Sequence, residues 1–172
     1  MNNSYKIKDA LFLGFLLILV IWISPFILIG AGIYCIYVLR KMIRRKKLLK
    51  QIEEEWFPKG TYIFFLYSNS KRWKEYFEKE IVSKIQDKAS IWNWSTRQKD
   101  GWNKDSIEAK ILQLYRPFGY FYPLAIVFLP SGRIKTFQFY ASYMNMIKLR
   151  KSDYKKLEKE FLELADSLKK SA

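Results

Sequence analysis

The stretch YFYPLAIVFLPSGRIKTFQFY, residues 120–140, decides the fold of this chain. Residues 124–129 are continuously apolar, which is typical of a strand buried on both faces of a sheet. Pro130 and Gly132 are residue types that tight turns favour, and residues 134–140 then alternate as a half-buried strand does. The stretch therefore predicts a β-hairpin whose first strand begins directly after Pro123.

The flanking sequence predicts strands that alternate with helices. The predicted elements are strands over 61–68 and 89–96, helices over 70–86 and 106–115, the hairpin, a connection over 140–151 and a last helix. The apolar stripe of that last helix comprises Tyr154, Leu157, Phe161, Leu164 and Leu168. The order β-α-β-α-β-β-α predicts an α/β fold with one parallel strand pair.

Helix caps are predicted from short polar side chains. Asp105 is placed to cap the helix over 106–115, with Glu108 completing a capping box. Ser152 or Asp153 is placed to cap the last helix.

This element order, with a proline immediately before the third strand, resembles the thioredoxin-like fold over residues 60–170. In that family the proline is cis and lies beside the active-site turn, so the resemblance implies a cis bond before Pro123. Thioredoxins carry CxxC between the first strand and the first helix, whereas YSNSKRWK (67–74) contains no cysteine. Because thiol–disulfide exchange requires a thiolate, the resemblance here implies the fold without the redox chemistry.

Composition removes several classes of chemistry. The 172 residues include no histidine and one cysteine, Cys35, within an apolar run. This excludes His-based triads, an internal disulfide and a cysteine zinc site. The sequence also has no phosphate-binding glycine loop and no cluster of carboxylates. We therefore expect no metal and no cofactor, and these absences argue against an enzyme.

Tyr67, Ser68, Ser70 and Arg72 are expected to cluster beside Pro123. In the simplest interpretation, Ser68, Asn69 or Ser70 caps the helix over 70–86. The alternative comes from a resemblance to glutathione transferases, which activate the glutathione thiol with a Tyr or Ser at this junction. Tyr67 or Ser70 would then act on the thiol and Arg72 would hold a carboxylate. Those enzymes also need an all-helical domain, which we do not expect in this sequence.

Residues 10–39 contain no charged side chain. About 20 helical residues cross a hydrocarbon core of about 30 Å, so this run is long enough to span a membrane. Pro25 predicts a kink in a single span, and the alternative is a hairpin that enters and leaves on one side. The predicted organisation is a short tail (1–10), a transmembrane helix (11–39), a basic juxtamembrane helix and linker (40–58) and a thioredoxin-like soluble domain (59–172).

Basic residues outnumber acidic ones by 31 to 16, and residues 40–50 contain seven basic side chains and no acidic one. By the positive-inside rule, this cluster predicts a single-pass protein with its N-terminus outside and its C-terminal domain in the cytoplasm. An external domain is the alternative if a partner overrides these charges. The cluster also suits anionic lipid headgroups. Its members are Arg40, Lys41, Arg44, Arg45, Lys46, Lys47 and Lys50.

A second candidate surface combines aromatic and basic residues. The segment 91–104 contains three tryptophans among Arg97, Lys99 and Lys104. Trp and Arg are enriched in binding hot spots, so we favour a protein interface over base stacking on nucleic acid. The predicted interface residues are Trp92, Trp94, Trp102, Tyr143 and Met144. The sequence thus predicts a non-catalytic, membrane-anchored binding module that acts as an accessory or assembly subunit and holds other membrane proteins. A glutathione-transferase-like enzyme and a membrane-tethered nucleic-acid-binding protein are the alternatives.

Overall fold

The structure is a computed structural model that describes residues 3–96, 103–117, 122–148 and 151–169. The chain forms two compact units, Met1–Arg44 and Arg45–Ala172. The elements are α1 (Asn3–Glu55), β1 (Ile63–Tyr67), α2 (Lys74–Phe77, continued by a π-helical turn at Glu78–Val82 and by Ser83–Ile85), β2 (Ala89–Asn93), α3 (Ile107–Tyr115), β3 (Leu124–Phe128), β4 (Ile134–Gln138), α4 (Phe139–Lys148) and α5 (Lys151–Lys169).

The first unit consists of the N-terminal part of α1. This helix includes Pro25 and begins at Asn3, so residues 3–10 are helical and the chain does not turn back as a hairpin. The structure contains one helical stretch, Ser24–Lys59, that is long and apolar enough to cross a membrane, judged over the residues described in full. Large apolar side chains between Trp22 and Ile43 are not covered by other parts of the described protein and are therefore exposed. A candidate membrane-spanning segment requires this, because lipid would cover such side chains.

The second unit is built on a mixed sheet of four strands in the order β2-β1-β3-β4. β1 pairs with β2 in parallel and with β3 in antiparallel, and β3 pairs with β4 in antiparallel. All five residues of β1 and of β3 are buried, which confirms that their continuous apolar runs form the central strands. Gly132 has a φ of 77°, a backbone conformation that residues with a side chain rarely adopt. Its N–H donates to the Leu129 carbonyl at 2.8 Å and closes the turn between β3 and β4. The sheet with its helices confirms the α/β class.

Two apolar cores cover the two faces of the sheet. On one face α2, α4 and α5 pack over a core that includes Phe65, Phe77 and Phe161. On the other face α3 packs over Phe64, Leu66 and Ile126. Successive strand residues thus point to opposite cores, as the pleat of a strand requires.

The last turns of α1 also belong to the second core. Leu48 and Ile52 are 2% and 0% exposed, and Trp56 follows them at 6%. The Trp56 ring meets the Phe128 ring edge to face, with 6.2 Å between centroids. The compact unit therefore begins at Arg45, before the predicted domain start at residue 59, because these side chains fill the core beside α3.

Three local predictions are wrong. The cap of α3 is Ser106, whose Oγ accepts the Ala109 N–H, whereas the predicted partner Glu108 accepts from Ser90 instead. Residues 139 and 140, predicted as the end of the strand, and residues 141–148, predicted as a connection, together form α4 because their apolar side chains recur at helical spacing against the sheet. α5 begins at Lys151, so the two predicted caps, Ser152 and Asp153, lie inside its first turn.

Candidate functional site

The predicted junction lies where β1 and β2 end and β3 begins. Leu66 pairs with Leu124, so Tyr67 and Pro123 flank the same end of the ladder. The Tyr67 carbonyl accepts the backbone N–H of Trp94 at 2.8 Å, which brings the end of β2 to the same place. The bond between Tyr122 and Pro123 is cis, as the resemblance implied. The topology thus brings the predicted residues of the junction to one end of the sheet.

The hydroxyl of Tyr67 is engaged within the protein. It donates to Glu78 Oε1 at 3.0 Å, and the residue is only 9% exposed. Burial raises the pKa of this phenol, and the hydrogen bond and the negative charge of Glu78 raise it further. A tyrosine that activates a thiol needs its hydroxyl for the ligand. This geometry therefore does not favour the thiol-activating role considered for Tyr67.

The serines of the junction do not cap α2. The helix begins at Lys74 after Trp73, which provides no side-chain cap. Residues before it form a turn in which the Ser70 carbonyl accepts the N–H groups of Trp73 and Lys74. Ser68 is buried at 6% exposure at the end of β1. The capping interpretation is wrong because α2 begins at Lys74, four positions after Ser70, and its N-cap residue is Trp73.

The Arg72 side chain is exposed, while its backbone ties the junction to α4. Its carbonyl accepts the hydroxyl of Tyr143 at 2.7 Å, and its N–H faces Ser70 Oγ at 3.4 Å. The charged head of Arg72 therefore stays at the surface of a loop whose path is fixed.

An amide network that the sequence reasoning missed joins the loops after β1 and β2. Asn93 Nδ2 donates to Asn69 Oδ1 at 2.6 Å, and the N–H of Asn69 donates to Ser95 Oγ at 3.0 Å. The N–H of Ser95 in turn donates to Asn93 Oδ1 at 3.0 Å. The available signal was the presence of Asn and Ser directly after two strands that run in parallel, since parallel strands end at the same edge. These bonds join the two loops at the exposed edge of the junction.

The predicted interface residues fall into two environments. Trp92 and Trp94 are half-buried, with the Trp92 ring edge-on to Phe64 at 5.9 Å and the Trp94 ring stacked on Tyr122 at 6.4 Å. Tyr143 is 7% exposed, and an aromatic core surrounds it, so it contributes packing rather than exposed surface. Met144 is partly buried on α4, and Trp102 lies outside the described residues.

The basic residues of α1 also differ in their surroundings. In the second unit the Arg45 guanidinium donates to the Leu114 carbonyl at 3.4 Å and lies 5.1 Å from the centre of the Tyr115 ring. Lys50 lies 3.7 Å from Glu54, whereas Lys46 and Lys47 are exposed. In the first unit Lys41 lies 6.0 Å from the centre of the Tyr37 ring, and Arg40 and Arg44 are exposed.

A buried carboxylate lies between α2 and α5. Glu158 is 5% exposed and accepts the Tyr76 hydroxyl through both oxygens at 3.0 Å. Lys155 donates to the same carboxylate at 2.8 Å, and this contact raises the pKa of the lysine. The Lys155 ammonium compensates the charge of Glu158, and the hydrogen bond from Tyr76 fastens α5 to α2.

Comparison with protein-family models, with curated protein sequences and with solved structures finds no match for this chain. Within the described residues, no group of three or more Cys, Asp or Glu side chains is arranged to hold a metal ion. Cys35 is exposed on α1 in the first unit. The junction in the second unit therefore offers hydrogen-bonding and aromatic surface, and its described residues include no thiol.

Proposed function

We propose that this chain is a membrane-anchored, thioredoxin-like binding module that works without catalysis, as an accessory or assembly subunit of a membrane protein complex. The strand order β2-β1-β3-β4, with β1 parallel to β2, supports the thioredoxin-like part of this proposal. The position of Pro123 immediately before β3 and the helices on both faces of the sheet support it as well.

One observation carries the binding function. At the junction the Tyr67 hydroxyl is bonded to Glu78, and Asn69 is bonded to Asn93 and Ser95. The same end of β2 presents the half-buried rings of Trp92 and Trp94, which also pack against the second core. Large, rigid aromatic side chains at a surface supply much of the binding energy of protein interfaces.

The interface that we propose is centred on these two tryptophans, with Trp102 and Met144 as further members. Its partner is another membrane protein, because the chain also carries a candidate membrane span. The stacked pair of Trp94 and Tyr122 holds one ring in a fixed orientation, which reduces the entropy lost on binding.

The anchoring part of the proposal rests on α1. We propose a single-pass topology with the N-terminus outside and the second unit in the cytoplasm, where the basic residues contact anionic lipid headgroups. The exposed side chains of Arg40, Arg44, Lys46 and Lys47 support this contact, whereas Arg45 is engaged with α3.

Affinity capture from membranes tests the proposal. The tagged full chain is extracted in a mild detergent beside the double variant Trp92→Ala/Trp94→Ala and the control Phe57→Ala, which truncates another half-buried aromatic. We expect the double variant to retain less than about a tenth of the partner, since loss of hot-spot side chains commonly exceeds about 2 kcal/mol. Equal capture by all three proteins would exclude this interface.

A further inference from the structure

The two edges of the sheet differ in a way that points to a second binding element. β2 and β4 are the outer strands, and within the described residues no strand pairs with the outer side of either. Proteins protect such edges with lysine, proline or bulges, because the unpaired backbone groups otherwise accept another strand. β4 follows this rule, since it carries the exposed Lys135. The residues of β2, Ala89–Asn93, include neither a charge nor a proline.

The hydrogen bonds of β2 show which of its backbone groups face outward. The Lys88 carbonyl accepts from Tyr62 and Ile63, and the Trp94 N–H donates to Tyr67. In a parallel ladder the inward residues alternate, so Ser90 and Trp92 also bond to β1. The backbone N–H and C=O groups of Ala89 and Ile91 therefore face the open side.

From this edge, and resting on the proposed binding function, we propose that the partner docks by adding an extended segment to β2. The added strand pairs with Ala89 and Ile91, and one of its faces lies beside Trp92. Backbone pairing supplies the affinity and the neighbouring side chains supply the selectivity. The tryptophans and the open edge then form one continuous surface.

Charge identifies the kind of segment that fits. The second unit, residues 45–172, contains 26 basic and 15 acidic residues, a net charge of +11, so two copies of it repel each other while an acidic segment is attracted. The edge strand itself is uncharged, which leaves the acidic side chains of the partner free to point toward solvent or toward the basic protein. We therefore assign the edge to an extended acidic segment of a partner protein rather than to a second copy of this chain.

The experiment uses the full chain in detergent micelles and a fluorescent ten-residue peptide that alternates glutamate and valine. The matched peptide carries N-methyl groups on every amide, which removes the backbone donors from both of its edges and leaves charge and side chains unchanged. Ala89→Pro removes one outward N–H of β2 at the first strand position, which tolerates proline. Thr136→Pro is the control, because its N–H faces outward on β4 by the same alternation.

We expect the unmodified peptide to bind, N-methylation to weaken binding by about tenfold or more, and Ala89→Pro to weaken it by about five- to tenfold. Thr136→Pro should leave the affinity unchanged. Equal binding of the two peptides, no binding at all, or a dimer that Ala89→Pro dissolves would overturn the assignment. The peptide pair keeps the test valid if a proline variant does not fold. One outcome separates this inference from the proposed function. If Trp92→Ala/Trp94→Ala loses the membrane partner while Ala89→Pro still captures it, strand addition is refuted and the proposed function is not.

Discussion

Truncation of Ile52 tests whether the end of α1 is part of the second unit. Ile52 is 0% exposed and lies in the core that α3 and the sheet share. Replacement of a fully buried isoleucine by alanine costs about 2–5 kcal/mol, because apolar contact is lost and a cavity remains. With Leu48 and Trp56 packed around it, we expect Ile52→Ala to lower the free energy of unfolding by about 3 kcal/mol. For a unit of this size, that corresponds to a fall in Tm of about 10 °C.

The control is Glu53→Ala, one residue further along the same helix and exposed. Both substitutions introduce alanine, the best helix former, so a difference between them reports on packing rather than on helix propensity. Thermal unfolding of the full chain in detergent is followed by tryptophan fluorescence, to which the buried Trp56 contributes. A substitution at the exposed site is expected to cost about 0.5 kcal/mol. If Ile52→Ala costs no more than that, the end of α1 is not packed into the second unit.

Three further substitutions test other parts of the second unit. Tyr154→Phe should stabilise it by about 1 kcal/mol, because the buried Tyr154 hydroxyl has no hydrogen-bond partner among the described residues; urea titration measures this. Burial raises the pKa of that phenol above its ordinary value of about 10, so above pH 10 the hydroxyl ionises in the unfolded chain before it ionises in the folded protein, and the folded state loses stability as the pH rises. Tyr154→Phe should therefore resist alkaline unfolding better than the wild type, and an unchanged alkaline midpoint would contradict this. Glu158→Ala should lower the free energy of unfolding by about 2–3 kcal/mol in the same titration, since Tyr76 then loses its acceptor. A loss no larger than that for an exposed glutamate would argue against the buried cluster. Gly132→Ala should lower stability by about 1–2 kcal/mol because alanine disfavours a φ of 77°, and a neutral result would show that the turn adapts.

Local sequence patterns predicted much of the sheet correctly. The apolar runs of β1 and β3 could be identified because both faces of these strands are buried, and Pro130 and Gly132 marked the turn. The apolar stripe of α5 could be recognised from Tyr154 to Leu168, since apolar residues recur every three or four positions in an amphipathic helix.

Other features depend on contacts between residues that are distant in the chain. The burial of Leu48 and Ile52 could not be recognised because they follow the charged residues of a helix whose preceding part is uniformly apolar. The helix α4 was missed because its aromatic residues directly continue those of β4. The amide network of Asn69, Asn93 and Ser95 was missed because a predicted parallel pairing does not specify which side chains of the two following loops meet.

Native mass spectrometry of the full chain, extracted from its membrane in a mild detergent, tests the proposed binding function most directly. We expect the chain to leave the membrane in a complex of defined stoichiometry with another membrane protein, and Trp92→Ala/Trp94→Ala to release it. A chain that emerges alone, or that carries only a small organic molecule, would contradict the assignment as an accessory or assembly subunit.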